Sequence, residues 1–187
     1  MADNQPMLVD QIRNPMHTTE QIFRIINKVA DGLKVDFDCD KRCVLLAFAE
    51  NESSMGMFNF RYEPAYGLAG LYFRKSKMLR ELYDVYGPMV SMSYGPMQIM
   101  YATAYDLGYR GHPLALSSLE NSIEWVIKYM NRASSQGAKS LKLLASSYNG
   151  GSISSWKTNP AVDQYALRIE MLYDKWKKKS VDWAKFS

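Results

Sequence analysis

The chain is organised around the stretch CVLLAFAENESS, residues 43–54. Its first part, residues 43–49, is apolar on every side of a helix, and such a helix is typical of the centre of a protein core. Two acids, Glu50 and Glu52, stand near its end, where the helix dipole disfavours negative charge. This local conflict indicates a functional site. Because the acids are two positions apart, they face different directions, and periodicity leaves open which one points into a cleft.

The remaining sequence predicts helices separated by loops and turns in one mostly helical domain. Helix starts are marked by polar capping residues at 18–21, 117–120 and 159–160. We expect no β-strand, a loop over 55–73 and a turn over 91–96. A helix is expected to follow each capping segment. Apolar residues at helical spacing predict helices over about 22–33, 75–86, 97–107, 138–147 and 160–176.

The composition bounds the class of protein without selecting a function. A chain of 187 residues with 47% apolar and 22% charged residues suits one compact globular domain. The net charge of +4 is only a weak bias toward anionic polymers. No basic stripe or nucleic-acid-binding module accompanies it, so we predict no nucleic-acid partner. Cys39 and Cys43 form neither a disulfide framework nor a zinc site, and we expect no metal and no cofactor.

The N-terminal residues 1–16 are polar and lack a period, so we expect a loose segment ahead of one domain over 17–187. Residues 1–14 lack the basic start and apolar run of a secretory signal. No stretch approaches the ~20 apolar residues that cross a bilayer. The sequence therefore predicts no export signal of its own and no membrane span, and it makes no prediction of oligomeric state.

Three short motifs follow one another along the chain. They are AFAENES at 47–53, GPMQI at 95–99 and SYNGG at 147–151. In order and character they resemble the motifs of the soluble lytic transglycosylase family, whose members are relatives of goose-type lysozyme. Tyr165 in DQYA and Asn121 in ENSI fit two further positions of that family. The resemblance covers roughly residues 38–176.

The resemblance implies an all-α, or mainly α, lysozyme-like single domain with a long cleft for peptidoglycan glycan strands. It carries the catalytic role onto Glu52, the acid followed by Ser, rather than onto Glu50. The substrate contacts that it implies are Ser53, Ser93, Met97, Gln98, Tyr148, Asn149 and Tyr165. Taken alone, three of these residues can be explained by structure without any contact with a substrate. Met97 would be a residue of the hydrophobic core, Asn149 part of a turn, and Tyr165 a residue on the inner face of a helix.

The chemistry that the resemblance implies needs one carboxylic acid that stays protonated near neutral pH. Burial among apolar groups raises the pKa of a carboxyl in this way. Glu52 would protonate the oxygen between N-acetylmuramic acid and N-acetylglucosamine, and would then accept a proton from the muramoyl C6 hydroxyl as that oxygen closes onto C1. The product is a 1,6-anhydro sugar, and one residue acts as acid and then as base.

Two alternatives to this activity remain open. A muramidase of the same fold would add water, and a glycan-binding or virion structural domain would keep the fold without catalysis. Ordinary glycosidases use two carboxylates, and none of Glu63, Asp84 and Asp106 lies in a motif that marks it as the second.

The separation between Glu52 and Gln98 is longer than is usual in the family. The surplus falls at about residues 58–86 and borders the expected cleft. It could form a lid or added sugar subsites, or it could be plain scaffold, since surface insertions cost little. Peptidoglycan lies outside the cytoplasmic membrane and no export signal is predicted. The chain could therefore be a phage protein that is carried in the virion or released from the cell, or a bacterial protein that is trimmed or exported by an unconventional route. We favour the phage protein.

Overall fold

The computed structural model of the chain describes residues 16–186. The fold is mainly α, as predicted, with 67% helix and 5% strand. The expected loose segment 1–16 lies outside the described residues except for Met16. The α-helices over this range are α1 (Thr19–Val29), α2 (Lys41–Ser53), α3 (Leu71–Lys75), α4 (Lys77–Tyr86), α5 (Tyr101–Asp106), α6 (Leu119–Ser135), α7 (Leu141–Gly150) and α8 (Pro160–Lys179).

Helix α2 forms the centre of the core, which confirms the prediction of a buried helix. The Asp40 carboxylate caps its start by accepting hydrogen bonds from the backbone N–H groups of Arg42, at 2.9 Å, and Cys43, at 3.2 Å. Residues 43–49 are almost completely buried because α1 and α8 pack against the helix. The helix ends at Ser53 and is followed by the capping residue Ser54, whose backbone is left-handed with a φ of 51°.

The prediction that the chain has no strand is wrong. Strands β1 (Phe60–Tyr62), β2 (Met92–Tyr94) and β3 (Ile99–Met100) form an antiparallel sheet in that order. Strands this short are too brief to show an alternation of apolar and polar residues, so no sequence pattern predicts them. They replace parts of the predicted loop over 55–73 and of the predicted turn over 91–96.

The helix predicted over 97–107 begins later, at Tyr101, because the preceding residues make a turn between β2 and β3. Gly95 and Gln98 have φ values of +73° and +52°. A residue with positive φ cannot continue a right-handed helix, and only Gly adopts this conformation at no steric cost. The turn brings the side chain of Gln98 to the edge of the sheet.

The surplus residues 58–86 are folded: the helix predicted over 75–86 is confirmed, whereas the loop predicted over 55–73 contains regular elements. They contain β1, a 3-10 turn at Pro64–Tyr66, and helices α3 and α4. Phe73 and Leu79 pack with Ala102 of α5 in a small second cluster of buried residues. The region is also joined to the rest of the fold through the β1–β2 pairing.

Helices α7 and α8 pack against each other and bring their residues beside the end of α2. Helix α7 continues to Gly150, so Tyr148 and Asn149 lie in its last turn rather than beyond it. Helix α8 begins as predicted, with Asn159 as cap and Pro160 in the first turn. Among residues 16–186 there is no helix with the length and apolar character that crossing a membrane requires.

Candidate active site

A cleft of about 630 Å³ opens beside the C-terminal end of α2. Its walls come from distant parts of the chain, including the sheet, the 58–86 region and the ends of α5, α6 and α7. Its polar and aromatic lining consists of Glu52, Arg61, Glu63, Tyr66, Tyr72, Gln98, Thr103, Asp106, Tyr129, Arg132, Tyr148, Asn149 and Asn159. Aromatic faces combined with charged and amide groups suit a polar ligand with flat apolar surfaces.

Glu52 lies in the last turn of α2 and lines this cleft. The hydroxyl of Tyr165 donates a hydrogen bond to its Oε1. Burial raises the pKa of the Glu52 carboxyl above the ordinary value, and the negative charge of Glu63 adds to the rise. The hydrogen bonds from Tyr165 and Asn51 and the charge of Arg61 act in the opposite direction, but burial is the largest effect. Glu52 therefore keeps its proton to a higher pH than an exposed Glu does.

Glu50 lies outside the cleft-lining set. Its Oε1 pairs with Nζ of Lys175, on α8, at 2.5 Å. Helix α8 thus contacts both acids, with Tyr165 on Glu52 and Lys175 on Glu50. Of the two acids that periodicity left open, only Glu52 borders the cleft.

Two tyrosines, Tyr148 and Tyr165, lie near the Glu52 carboxyl, and both pack against Phe48. The ring centroid of Phe48 is 5.1 Å from that of Tyr148 and 6.4 Å from that of Tyr165. Tyr148 donates a hydrogen bond from its hydroxyl to the backbone oxygen of Met97 at 2.6 Å. Burial, and after it the charge of Glu52, raises the pKa of both tyrosines well above the usual value. Both hydroxyls therefore stay protonated and act as hydrogen-bond donors.

The amide of Gln98 is held in place on both sides at the floor of the cleft. Its Nε2 donates hydrogen bonds to the backbone oxygens of Phe58, at 3.0 Å, and Gly95, at 2.8 Å. Its Oε1 accepts a hydrogen bond from the Ser93 hydroxyl at 2.8 Å. Because both amide N–H groups are in use, Gln98 can offer a ligand only the remaining acceptor capacity of Oε1.

An ion pair between Arg61 and Glu63 borders Glu52 and reaches the Gln98 network. Arg61 Nε and Nη2 each lie 2.7 Å from Glu63 Oε1, and the Ser93 hydroxyl lies 3.3 Å from the same oxygen. No sequence motif marks Arg61. Residues two apart on extended backbone share a face, and Glu63, directly after β1, is still extended. Predicting this strand would therefore have placed Arg61 and Glu63 on the same face.

Ser53, Ser93 and Met97 are buried behind the cleft wall. The Ser53 hydroxyl donates to the backbone oxygen of Pro96 at 2.6 Å and accepts from the Gly56 N–H at 2.7 Å. It thereby joins the end of α2 to the turn that carries Gln98. The structure gives these three residues positions that support the wall, and their direct contact with a substrate stays a prediction.

The remaining predicted residues are divided between the cleft and the scaffold. Asn149 is exposed and lines the cleft. Asn121 does not line it, and its amide donates to the backbone oxygen of Ala115 at 2.9 Å.

A second ion pair borders the cleft on the side of α5 and α6, where Arg132 Nη1 lies 2.6 Å from Asp106 Oδ2. No motif marks these two charged residues, so the sequence alone did not select them.

Comparison with known proteins identifies the family. The family model described as Transglycosylase SLT domain matches residues 40–168. The chain belongs to the transglycosylase SLT family. The match begins at the cap of α2 and ends within α8, so it includes both Glu52 and Tyr165. No curated protein and no solved structure gives a significant match.

Membership in the SLT family confirms the predicted resemblance and places the chain in the lysozyme-like superfamily. It supports a lytic transglycosylase type of activity on peptidoglycan. The described residues of this SLT domain, 16–186, contain no cluster of three or more His, Cys, Asp or Glu side chains suited to a metal ion.

Proposed function

We propose that the chain cleaves the β-1,4 bond between N-acetylmuramic acid and N-acetylglucosamine of peptidoglycan and leaves a 1,6-anhydromuramoyl end. The observation that carries this proposal is the environment of Glu52, a cleft carboxyl with a raised pKa and a hydrogen bond from Tyr165. Its Oε1 is occupied by the tyrosine, which leaves Oε2 to hold the reacting proton.

In the first step, protonated Glu52 transfers its proton to the glycosidic oxygen. The bond from muramoyl C1 to that oxygen breaks, the oxygen keeps the electron pair, and positive charge develops at C1 and the ring oxygen. Glu52 becomes a carboxylate, which is stabilised by the Tyr165 hydrogen bond and by the nearby charge of Arg61.

In the second step, the Glu52 carboxylate accepts the proton of the muramoyl C6 hydroxyl. The C6 oxygen forms a bond to C1, which closes the anhydro ring and neutralises the positive charge. Glu52 is protonated again and the cycle can repeat, so one residue serves as acid and then as base. The step consumes no water.

A muramidase is the second candidate, because Glu63 lines the same cleft and bears on the pKa of Glu52. Hydrolysis would need a carboxylate that activates water. The Oε1 of Glu63 is held by Arg61 at 2.7 Å, and Asp106 is paired with Arg132 at 2.6 Å. Each carboxylate thus has one oxygen occupied by an arginine, which makes it less suited to activate water and favours the transglycosylase.

Product analysis tests the proposal. Purified sacculi are digested with wild-type protein, Glu52→Gln and Glu50→Gln, and the muropeptides are weighed by mass spectrometry. We expect anhydro ends, lighter than reducing ends by one water, from the wild type and from Glu50→Gln, and none from Glu52→Gln. Reducing ends in place of anhydro ends would establish the muramidase, and equal release by Glu52→Gln would exclude Glu52 as the acid.

The cell wall is the site of action that this substrate requires.

A further inference from the structure

Two tyrosines of the 58–86 region are stacked at the cleft. The rings of Tyr66 and Tyr72 have centroids 4.8 Å apart and planes inclined by 27°. Both residues line the same cleft as Glu52. Tyr72 is 53% exposed, although it is a large aromatic residue. Tyr66 packs against the small buried cluster of this region, whereas Tyr72 is not part of it. Packing in this cluster therefore explains the position of the Tyr66 ring, but it does not explain why the Tyr72 ring is exposed.

Hydrogen bonds and close packing hold the backbone that carries the two rings. The Ser91 hydroxyl donates to the backbone oxygen of Tyr66 at 2.7 Å, and the Gly70 N–H donates to the backbone oxygen of Gly67 at 2.7 Å. A Cβ on Gly67 would lie 1.7 Å from the Tyr62 hydroxyl, and a Cβ on Gly70 would lie 2.2 Å from the backbone oxygen of Ala65. The obstacle at Gly70 is backbone, so the turn between the two tyrosines admits no side chain at that glycine, whereas the obstacle at Gly67 is the tip of the Tyr62 side chain. The stacked rings are thus carried by a closely packed turn.

The chemistry around the pair is that of a carbohydrate site. A tyrosine ring offers a flat apolar face that suits the C–H face of a sugar, together with a polar hydroxyl at its tip. Arg61 and Glu63, partly exposed in the same cleft, supply charged hydrogen-bonding groups for sugar hydroxyls. A rigid aromatic face binds at a low entropic cost because little is ordered on binding.

We propose that the Tyr66–Tyr72 pair is a sugar-binding platform which adds a subsite to the cleft, beyond the sugars on either side of the reacting bond. This inference rests on the proposed function and commits the 58–86 region to glycan binding instead of plain scaffold. The platform binds a further saccharide unit of the same strand, so its contribution depends on strand length. Short strands that do not reach the platform bind equally well without it.

Binding measurements in the Glu52→Gln background test the platform without turnover. Peptidoglycan glycan strands of one to four disaccharide units are titrated by calorimetry into Glu52→Gln alone and with Tyr72→Ala, Tyr72→Phe or Leu71→Ala. Leu71 is the matched control, because it lies on the same helix and is 51% exposed but does not line the cleft. Thermal melts monitored by circular dichroism compare the folding of Tyr72→Ala and Leu71→Ala.

We expect Tyr72→Ala to weaken binding of the longest strands about tenfold, as the loss of one aromatic contact predicts, and to leave the shortest unchanged. Tyr72→Phe and Leu71→Ala should bind as the background does. Equal affinity of Tyr72→Ala at every length overturns the platform and leaves the proposed function intact. An absence of binding by the Glu52→Gln background at any length contradicts the proposed function itself.

Discussion

The hydroxyl of Tyr165, on α8, donates a hydrogen bond to Oε1 of Glu52, at the end of α2, across 113 residues of sequence. The contact joins two helices that pack extensively against each other in the core. It favours the ionised form of the carboxyl, while burial favours the neutral form more strongly. The same pair can therefore serve both stages of the proposed reaction, since Glu52 starts neutral and becomes a carboxylate.

Removing the Tyr165 hydroxyl should slow the reaction and shift its pH dependence. In Tyr165→Phe, loss of the hydrogen bond raises the pKa of Glu52 further, so the high-pH limb of the kcat/KM profile moves to higher pH. The maximal rate should fall roughly 10- to 100-fold, because a hydrogen bond to a charged group contributes roughly 1.5–3 kcal/mol. A pH–rate profile on solubilised glycan strands measures both effects. An unmoved limb, or a limb shifted to lower pH, would disprove the coupling.

Glu52 should reduce the stability of the folded protein wherever it is ionised. The pKa of Glu52 is raised in the folded state. Below the ordinary Glu pKa, the protonated Glu52 side chain costs the folded protein no stability. As the pH rises from the ordinary Glu pKa through the raised folded pKa, the free energy of unfolding falls. Glu52→Gln should consequently melt a few degrees above the wild type at pH 8 and close to it at pH 4. Differential scanning calorimetry at the two pH values makes the comparison. A variant that melts below the wild type at pH 8 would falsify this expectation.

Arg61 and Glu63 should shift the titration of Glu52 in opposite directions. Glu63 raises the pKa of Glu52 and Arg61 lowers it. Glu63→Gln should move the high-pH limb of the rate profile to lower pH, and Arg61→Gln should move it to higher pH. Mass analysis of the same digests should still find anhydro ends. Complete loss of activity in Glu63→Gln, with reducing ends from the wild type, would instead mark Glu63 as the base of a hydrolase.

The Ser93 hydroxyl should matter through the position of Gln98. Ser93→Ala removes the hydrogen bond to Gln98 Oε1 and leaves the amide less firmly held. We expect kcat/KM to fall about tenfold, with a loss of about 1 kcal/mol of stability in urea unfolding and no shift of the pH limb. Ser154→Ala is the control, since that hydroxyl is exposed and pairs with the hydroxyl of the exposed Ser152 at 3.1 Å. Wild-type kinetics in Ser93→Ala would show that the network does not position Gln98.

The sequence predicted the parts of the fold that depend on local patterns. The uniformly apolar residues 43–49 identified the central helix, and the capping residues at 159–160 identified the start of α8. The sheet was missed because its strands have two or three residues. The choice between Glu50 and Glu52 depends on which of them meets Tyr165 or Lys175, more than a hundred residues away. Helical periodicity contains no information about such a distant contact.

The cleft was predicted only in part for the same reason. Gln98, Tyr148 and Asn149 belong to motifs and line the cleft. Arg61 and Tyr72 belong to none of the three motifs, and they reach the cleft only because the 58–86 region folds onto β2 and α5. Which residues of the 58–86 region line the cleft therefore follows from the packing of that region and not from a local motif.

The most direct test of the central claim is the ionisation of Glu52 itself. The protein is labelled with ¹³C at the Glu side-chain carboxyl, and its NMR signals are followed from pH 3 to pH 9. The signal that is missing from the spectrum of Glu52→Gln is assigned to Glu52. The proposed mechanism predicts that the pKa of this carboxyl lies above the ordinary Glu value, as burial in the cleft requires. A Glu52 carboxyl whose pKa lies at or below the ordinary Glu value would contradict it.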